Sequence, residues 1–326
     1  MSLRQPKRPK KFSERLEAEY QLRRWKPKDL VKGRRMITRE YRAKPWLLAY
    51  YRSLLSPDEA DAIRVMLDVG CGTGFFTRFV SHQVARLGKR PMIVGADLNR
   101  DLLAMALNQS DGPPIDYVQA SAYHLPFRTG SFDLATCRTM LMHLSSPVSA
   151  LEEMKRSVKV GGRVCSEEPD FLMGGWYDPE DPESDKEDRR ELEGQIRGRR
   201  RMYGQDWAIG RRLPELFHAA GLKNFIIEGT FYLLMVPSDA RTPAKAHARV
   251  LEDNLKYSFD RSQRIDQNRA LRAGGIAQDA IDRNLARWRT KTKKRIQLLK
   301  KSQSAKEEDA SFGAIPFFLA VGTKLD

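Results

Sequence analysis

The sequence predicts an α/β protein, a doubly wound sheet of seven strands, mostly parallel, with helices on both faces. Three observations carry the prediction. From residue 63 onward, short apolar runs alternate with helix-patterned segments of ten or more residues, the pattern of βαβ units in a parallel sheet. The runs are rich in β-branched residues and lack polar alternation, as strands buried on both faces do. The first run passes into three glycines at alternate positions, Gly70, Gly72 and Gly74, where the backbone must turn tightly or lie close to another group.

Taken in order, IRVMLDV (63–69) reads as the first strand and GFFTRFVSHQVARL (74–87) as the helix after it. PMIVGAD (91–97) is the second strand, RDLLAMALNQ (100–109) a helix and IDYVQA (115–120) the third strand. SFDLATC (131–137) is the fourth strand, PVSALEEMKRSV (147–158) a helix and GGRVCSEE (161–168) the fifth strand. The acidic, proline-bearing stretch from 178 to 194 interrupts the pattern and reads as an exposed loop leading into a helix. Helix, glycine stop and strand return in GRRLPELFHAAGLKNFIIEGTFYLLM (210–235), and FGAIPFFLAVGTK (312–324) is the last strand. Between them, residues 240–305 form a basic helical insertion in which Ile281, Leu285, Trp288, Ile296 and Leu299 fall near one helical face. The chain thus divides into a basic helical N-terminal segment (1–60), an α/β core (61–239), the insertion (240–305) and a final core strand (306–326).

With 41% apolar residues in 326, the chain can build a sizeable core. Its three cysteines, Cys71, Cys137 and Cys165, have no paired spacing and fit a reducing, cytoplasmic setting rather than a disulfide framework. The five histidines form no metal-ligand cluster with them. No apolar run approaches the ~18 residues of a membrane span, and the basic, polar start lacks the apolar region of a secretory signal. The net charge of +16 is concentrated: residues 1–45 carry 16 Lys/Arg against 5 Asp/Glu, and residues 241–301 carry 17 against 6. Such segments suit RNA or another polyanion, or equally a solvated helix face.

The glycine loop lies just past the first strand, at the carboxyl edge where open α/β sheets bind ligands. Its spacing is G-x-G-x-G rather than the G-x-G-x-x-G of dinucleotide sites, and no Gly-Lys-Ser/Thr follows as in a P-loop. Asp68 stands two residues before the first glycine, where it would repel a pyrophosphate and attract an ammonium group. Asp97 ends the second strand, 23 residues after Gly74, in the position of an acid that accepts hydrogen bonds from ribose hydroxyls. A ribose without phosphate, joined to an amino-acid-like ammonium, describes S-adenosyl-L-methionine.

These motifs resemble the class I S-adenosylmethionine-dependent methyltransferases of the ubiquinone/menaquinone-biosynthesis-like group (methyltransferase type 11). LDVGCGTG matches the first motif, GADLN the second, and LPFRTGSFDLATCRTMLMHL the third and fourth. MKRSVKVGGRV and IGRRLPELFHAAGLKNF are similar to the segments before the fifth and sixth strands. The resemblance covers about 63–236 and the last strand, and implies a Rossmann-like sheet whose last strand is antiparallel. It implies that Asp68, Gly70, Cys71, Gly72 and Gly74 border the methionine end of the cofactor, directly or through water. Asp97 would hold the ribose, Leu98 would lie against the adenine, and the backbone of Arg138 would border the cofactor after the fourth strand. Where such proteins carry Asp-Ala, this chain has Ser121-Ala122, a neutral and weaker acceptor for the adenine amino group. The product would be S-adenosyl-L-homocysteine.

Methyl transfer from a sulfonium needs alignment and exclusion of water more than acid–base chemistry. His143, one turn past the fourth strand, is the candidate general base or acceptor contact, with a structural histidine as the alternative. Glu167, Glu168 and Asp170 end the fifth strand, where they would either grip a cationic or hydroxylated acceptor or lie in a solvated loop. Cys137 and Cys165 lack the Pro-Cys and Thr-Cys contexts of cytosine C5 methylation and read as structural thiols. No Asn/Asp-Pro-Pro-aromatic motif for exocyclic amines of bases follows the fourth strand. Three readings follow: a methyltransferase acting at O, N or C of a small or lipid-like acceptor; an RNA or protein methyltransferase docking through the basic segments; and a non-catalytic protein on the same fold.

Overall fold

A computed structural model describes residues 63–86, 90–108, 114–177, 181, 184–234, 248, 251–252, 255, 261–301 and 312–326. The basic N-terminal segment read at 1–60 lies outside the described residues.

Five parallel strands form most of the sheet: β1 (Val65–Val69), β2 (Met92–Asp97), β3 (Asp116–Gln119), β4 (Phe132–Arg138) and β5 (Val158–Pro169). They lie in the order β3-β2-β1-β4-β5. The last strand, β8 (Phe312–Thr323), runs antiparallel to β5 on one side and to β7 (Lys223–Leu234) on the other. The order reverses between β1 and β4, which opens a crevice at the carboxyl ends of the strands. An eighth strand, β6 (Gly175–Tyr177), pairs with the start of β8 beyond the end of β5. At three residues it is too short to give an apolar run, which is why the sequence did not announce it.

Helices cover both faces. α1 (Phe75–Arg86) packs Phe76, Phe79, Val80 and Val84 against Met66, Ile93, Leu134 and Cys165. α2 (Arg100–Leu107) starts at Asn99, whose side-chain oxygen accepts from Asp101 N and Leu102 N at 3.0 and 3.3 Å, a cap worth about 1 kcal/mol. α3 (Pro147–Ser157) buries Ala150, Leu151 and Met154 with Leu67, Val69, Ala135 and Cys137, and shares that core with α5 (Leu213–Ala219). In β1, and in β4 from Leu134 onward past the register shift after Phe132, odd and even positions therefore feed different cores, the consequence of a period of two in strands buried on both faces.

Three helices lie beyond this core: α4 (Ser184–Tyr203), α6 (Arg261–Ala273) and α7 (Gln278–Lys301), the last two within the insertion read at 240–305. α4 crosses the α6 segment with backbones nearly touching. A Cβ on Gly198 would lie 1.7 Å from Ala270 O, and one on Gly274 would lie 1.7 Å from Gly194 O. Arg199 and Tyr203 both reach Asp266, at 3.0 and 2.8 Å, and Arg201 donates to Ala273 O at 2.6 Å. On α7, Ile281, Ile296 and Leu299 are buried as their spacing predicts, but Trp288 is 39% exposed. At its level α4 presents Glu187 and Asp188, which engage Arg287.

Candidate cofactor site

The loop from Gly70 to Gly74 is built by left-handed backbone. Gly70, Gly72 and Gly74 have φ of +73°, +55° and +68°, values that cost a residue with a Cβ roughly 1–2 kcal/mol. The loop is tied to the end of β2: Gly70 N and Cys71 N both donate to Ala96 O, at 2.7 and 3.0 Å. Gly72 N donates to Asp97 Oδ2 at 2.8 Å, and Asn99 N to Asp97 Oδ1 at 2.8 Å. The Asp97 carboxylate is thus held by one amide on each oxygen. This arrangement fixes the orientation of the carboxylate.

Asp68 is buried, and its carboxylate accepts from Thr77 Oγ1 at 2.5 Å and Thr136 Oγ1 at 3.4 Å. Leu98 is half-buried, and its carbonyl accepts from Gln119 Nε2 at 3.1 Å. Ser121 Oγ accepts from Tyr123 N at 3.2 Å, and Ala122 packs against the main core. Loop, Asp97 and Leu98 are thereby brought together at one sheet edge.

Sequence reading missed Tyr117 on β3. Its ring covers Gly95 and its hydroxyl reaches the glycine loop: a Cβ at Gly95 would lie 2.8 Å from the ring, and one at Gly74 2.2 Å from the hydroxyl. Burial pushes the hydroxyl pKa up to about 12, against the pull of the nearby Arg78. The glycine inside the β2 run was the available signal, since a strand glycine marks close approach by a neighbour.

On the other side of β1, β4 ends at Arg138, whose Nε donates to Glu167 Oε2 at 2.7 Å between the rings of Phe76 and Phe317. Thr139 follows with φ +49°, a strained value for a residue with a branched Cβ. A 3-10 turn (Leu141–His143) comes next. His143 is half-buried; its amide donates to Met140 O, and its carbonyl accepts from Gln205 Nε2 at 3.4 Å.

The three acids at the end of β5 correct the reading of a solvated loop or an acceptor grip. Glu167, Glu168 and Asp170 are 3%, 0% and 0% exposed. Glu167 pairs with Arg138, and Asp170 pairs with Arg211 through both oxygens while accepting from Leu172 N and Met173 N. Glu168 accepts from the amides of Met140, Leu141 and Met142. All three lie where β8 and the turn after β4 cover the strand end, and buried carboxylates must find partners. Cys71, Cys137 and Cys165 are buried thiols, and burial pushes the thiols of Cys137 and Cys165 up, away from the nucleophilic form. Among the described residues no three His, Cys, Asp or Glu side chains gather as a metal site, and no helix is long and apolar enough to cross a membrane.

Residues 67–166 match the family model described as a methyltransferase domain. Over 157 residues the chain is 32% identical to an uncharacterized methyltransferase, C1B3.06c, of Schizosaccharomyces pombe, covering 45% of this chain and 52% of that protein. It is 37% identical over 103 residues to the ubiquinone/menaquinone biosynthesis C-methyltransferase UbiE of Hahella chejuensis, covering 30% and 40%. The chain spans about half the length, or less, of the curated relatives it matches. Among solved structures, the YcgJ protein from Bacillus subtilis superposes with a TM-score of 0.44 at 17% identity, over 81% of this chain and 93% of the other. Residues 67–166 are thus similar to a methyltransferase domain, and over about a hundred residues the chain is similar to ubiquinone/menaquinone-biosynthesis methyltransferases.

Proposed function

We propose that this protein transfers a methyl group from S-adenosyl-L-methionine to O, N or C of a small or lipid-like acceptor, in a cytoplasmic setting. The observation that carries the reading is the tie between Gly72 N and Asp97 Oδ2, which sets the glycine loop beside an oriented carboxylate. Asp97 would accept from the ribose hydroxyls, Leu98 would border the adenine, and Ser121-Ala122 would face its amino edge. Gly70, Cys71, Gly72 and Gly74 would line the methionine end, with Asp68 lowering the potential for its ammonium group. The cofactor supplies an electrophilic methyl; the protein aligns the acceptor and excludes water. His143, on the turn beyond Arg138, is the group available to take an acceptor proton.

Calorimetry of S-adenosylmethionine and S-adenosylhomocysteine with wild type and Asp97→Ala tests the proposal. Micromolar binding that falls at least about tenfold in the variant, the loss of one or two hydrogen bonds to a charged group, supports it. A folded wild type that binds neither ligand refutes it.

A second reading is favoured by α7. From Ala286 to Lys301 it carries eight Lys/Arg and no acid, and Lys293, Lys294, Lys300 and Lys301 are exposed. An RNA acceptor docked there would give binding that weakens steeply with salt. A small neutral acceptor would not.

A further inference from the structure

The structure assigns Glu168 as a positioning residue: its carboxylate fixes the turn Thr139–His143 against the glycine loop and so sets the width of the proposed cofactor site. This rests on the function proposed above. Nothing in the resemblance or the domain match gives this residue a role.

The argument starts from the backbone. After β4 the chain must leave the sheet without pairing further, so the amides of Met140, Leu141 and Met142 open a new turn and lack intrahelical acceptors. The turn is too short to satisfy them itself. Glu168 reaches them from β5: Oε1 accepts from Met140 N and Leu141 N at 2.9 and 2.8 Å, and Oε2 from Met142 N at 3.3 Å. The carboxylate is 0% exposed, so these amides replace the water it has lost. Thr139, immediately before, is held at φ +49° with its amide on Glu167 O at 2.8 Å. A strained residue persists only where the surroundings over-determine it, and Glu167 and Glu168 supply that constraint from consecutive positions.

The consequence reaches the site through Met140. Its side chain lies on Gly70 so closely that a Cβ there would come 2.5 Å from Met140 Cγ. Glu168 thus fixes Met140, Met140 abuts the first glycine of the loop, and the same turn carries His143. Glu168 itself touches neither cofactor nor acceptor in this arrangement. The charged and titratable groups around it are Glu167, itself paired with Arg138, and the buried thiol of Cys137 on β4.

The test compares Glu168→Gln and Glu168→Ala with wild type, at a temperature well below unfolding. Two readouts are taken: the Kd for S-adenosylhomocysteine by calorimetry, and hydrogen exchange of individual amides. Glutamine keeps one carbonyl acceptor, so affinity should fall about 3- to 10-fold, the value of one buried hydrogen bond, whereas alanine should cost more than about 30-fold. Exchange at Met140–Met142 should quicken at least tenfold, while amides of β1 and α3 stay protected. The graded order and local exchange are what general destabilisation would not produce. Binding within twofold of wild type in the folded variants overturns the assignment, as does exchange that quickens evenly across the domain. If Glu168→Ala does not fold, Glu168→Gln decides. If wild type fails to bind the ligand, the functional proposal falls, and the exchange data alone decide whether Glu168 holds the turn.

Discussion

Replacing Gly70 by alanine isolates the steric demand of the loop. Two penalties add at this position. The backbone has φ +73°, which costs a residue with a Cβ roughly 1–2 kcal/mol. The new methyl would meet Met140 Cγ at 2.5 Å and Met140 Cβ at 3.1 Å, and overpacking of this kind costs about 1–3 kcal/mol. Rotation about χ1 can move Met140 Cγ, but Cβ follows the backbone, whose amide is held by Glu168. The expected loss is therefore roughly 2–5 kcal/mol. Gly161 provides the control, with φ +79° and nothing within 4 Å of an added Cβ. Gly161→Ala should cost only the conformational part, about 1–2 kcal/mol, partly offset by a stiffer unfolded chain. Urea unfolding of both variants gives the comparison, and calorimetry of S-adenosylhomocysteine should show loss of binding in Gly70→Ala alone. Equal destabilisation by the two substitutions would refute the claim that Met140 is wedged against the loop.

Two further outcomes are expected. Gly198→Val should separate α4 from α6, because its Cβ would fall 1.7 Å from a backbone oxygen; the cost is about 3 kcal/mol or more, and limited proteolysis should cut within 261–301 sooner than in wild type. The pH dependence of stability should carry the mark of Glu168, whose pKa burial raises from 4.5 to about 7. The folded state then binds this proton more tightly than the unfolded chain, so the contribution is fully present below pH 4.5 and is lost as pH rises through about 7. At 1.36 kcal/mol per unit the fall is roughly 3 kcal/mol, and urea unfolding of Glu168→Gln between pH 5 and 8 should be flatter than wild type by that order. Asp206 and Glu215, held below the usual carboxylate range by arginines, act in the opposite sense and only at lower pH.

Much of the fold was legible because its determinants are local. Unbroken apolar runs such as MIVGAD can satisfy themselves only inside a sheet, and the glycines after β1 and the acid after β2 sit at fixed distances from strand ends. The same locality exposed the loop and Asp97, since the Gly72–Asp97 hydrogen bond joins the ends of two neighbouring strands. What sequence could not tell depends on partners far along the chain. Trp288 fits a helical stripe yet is exposed, while its neighbour Arg287 pairs with Glu187 and Asp188, about a hundred residues earlier.

The acids of β5 show the limit most sharply. Three carboxylates in four residues read as solvated because an isolated strand end would leave them in water, where they are stable. Two non-local events reverse this. β8 pairs along β5 as far as Pro169, which removes the solvent, and the chain leaving β4 offers amides with no other acceptor. Once water is excluded, each acid must be matched, by Arg138, by three amides and by Arg211 respectively. Charge that looked available for an acceptor is thereby committed to the shape of the site. Beside these acids the turn after β4 carries His143, and the segment Gln205–Trp207 that leads from α4 bonds to that turn through Gln205 Nε2 and Asp206 N. Close glycine packing seats α4 on α6, so the chain that bonds the His143 turn leaves from a helix resting on the insertion.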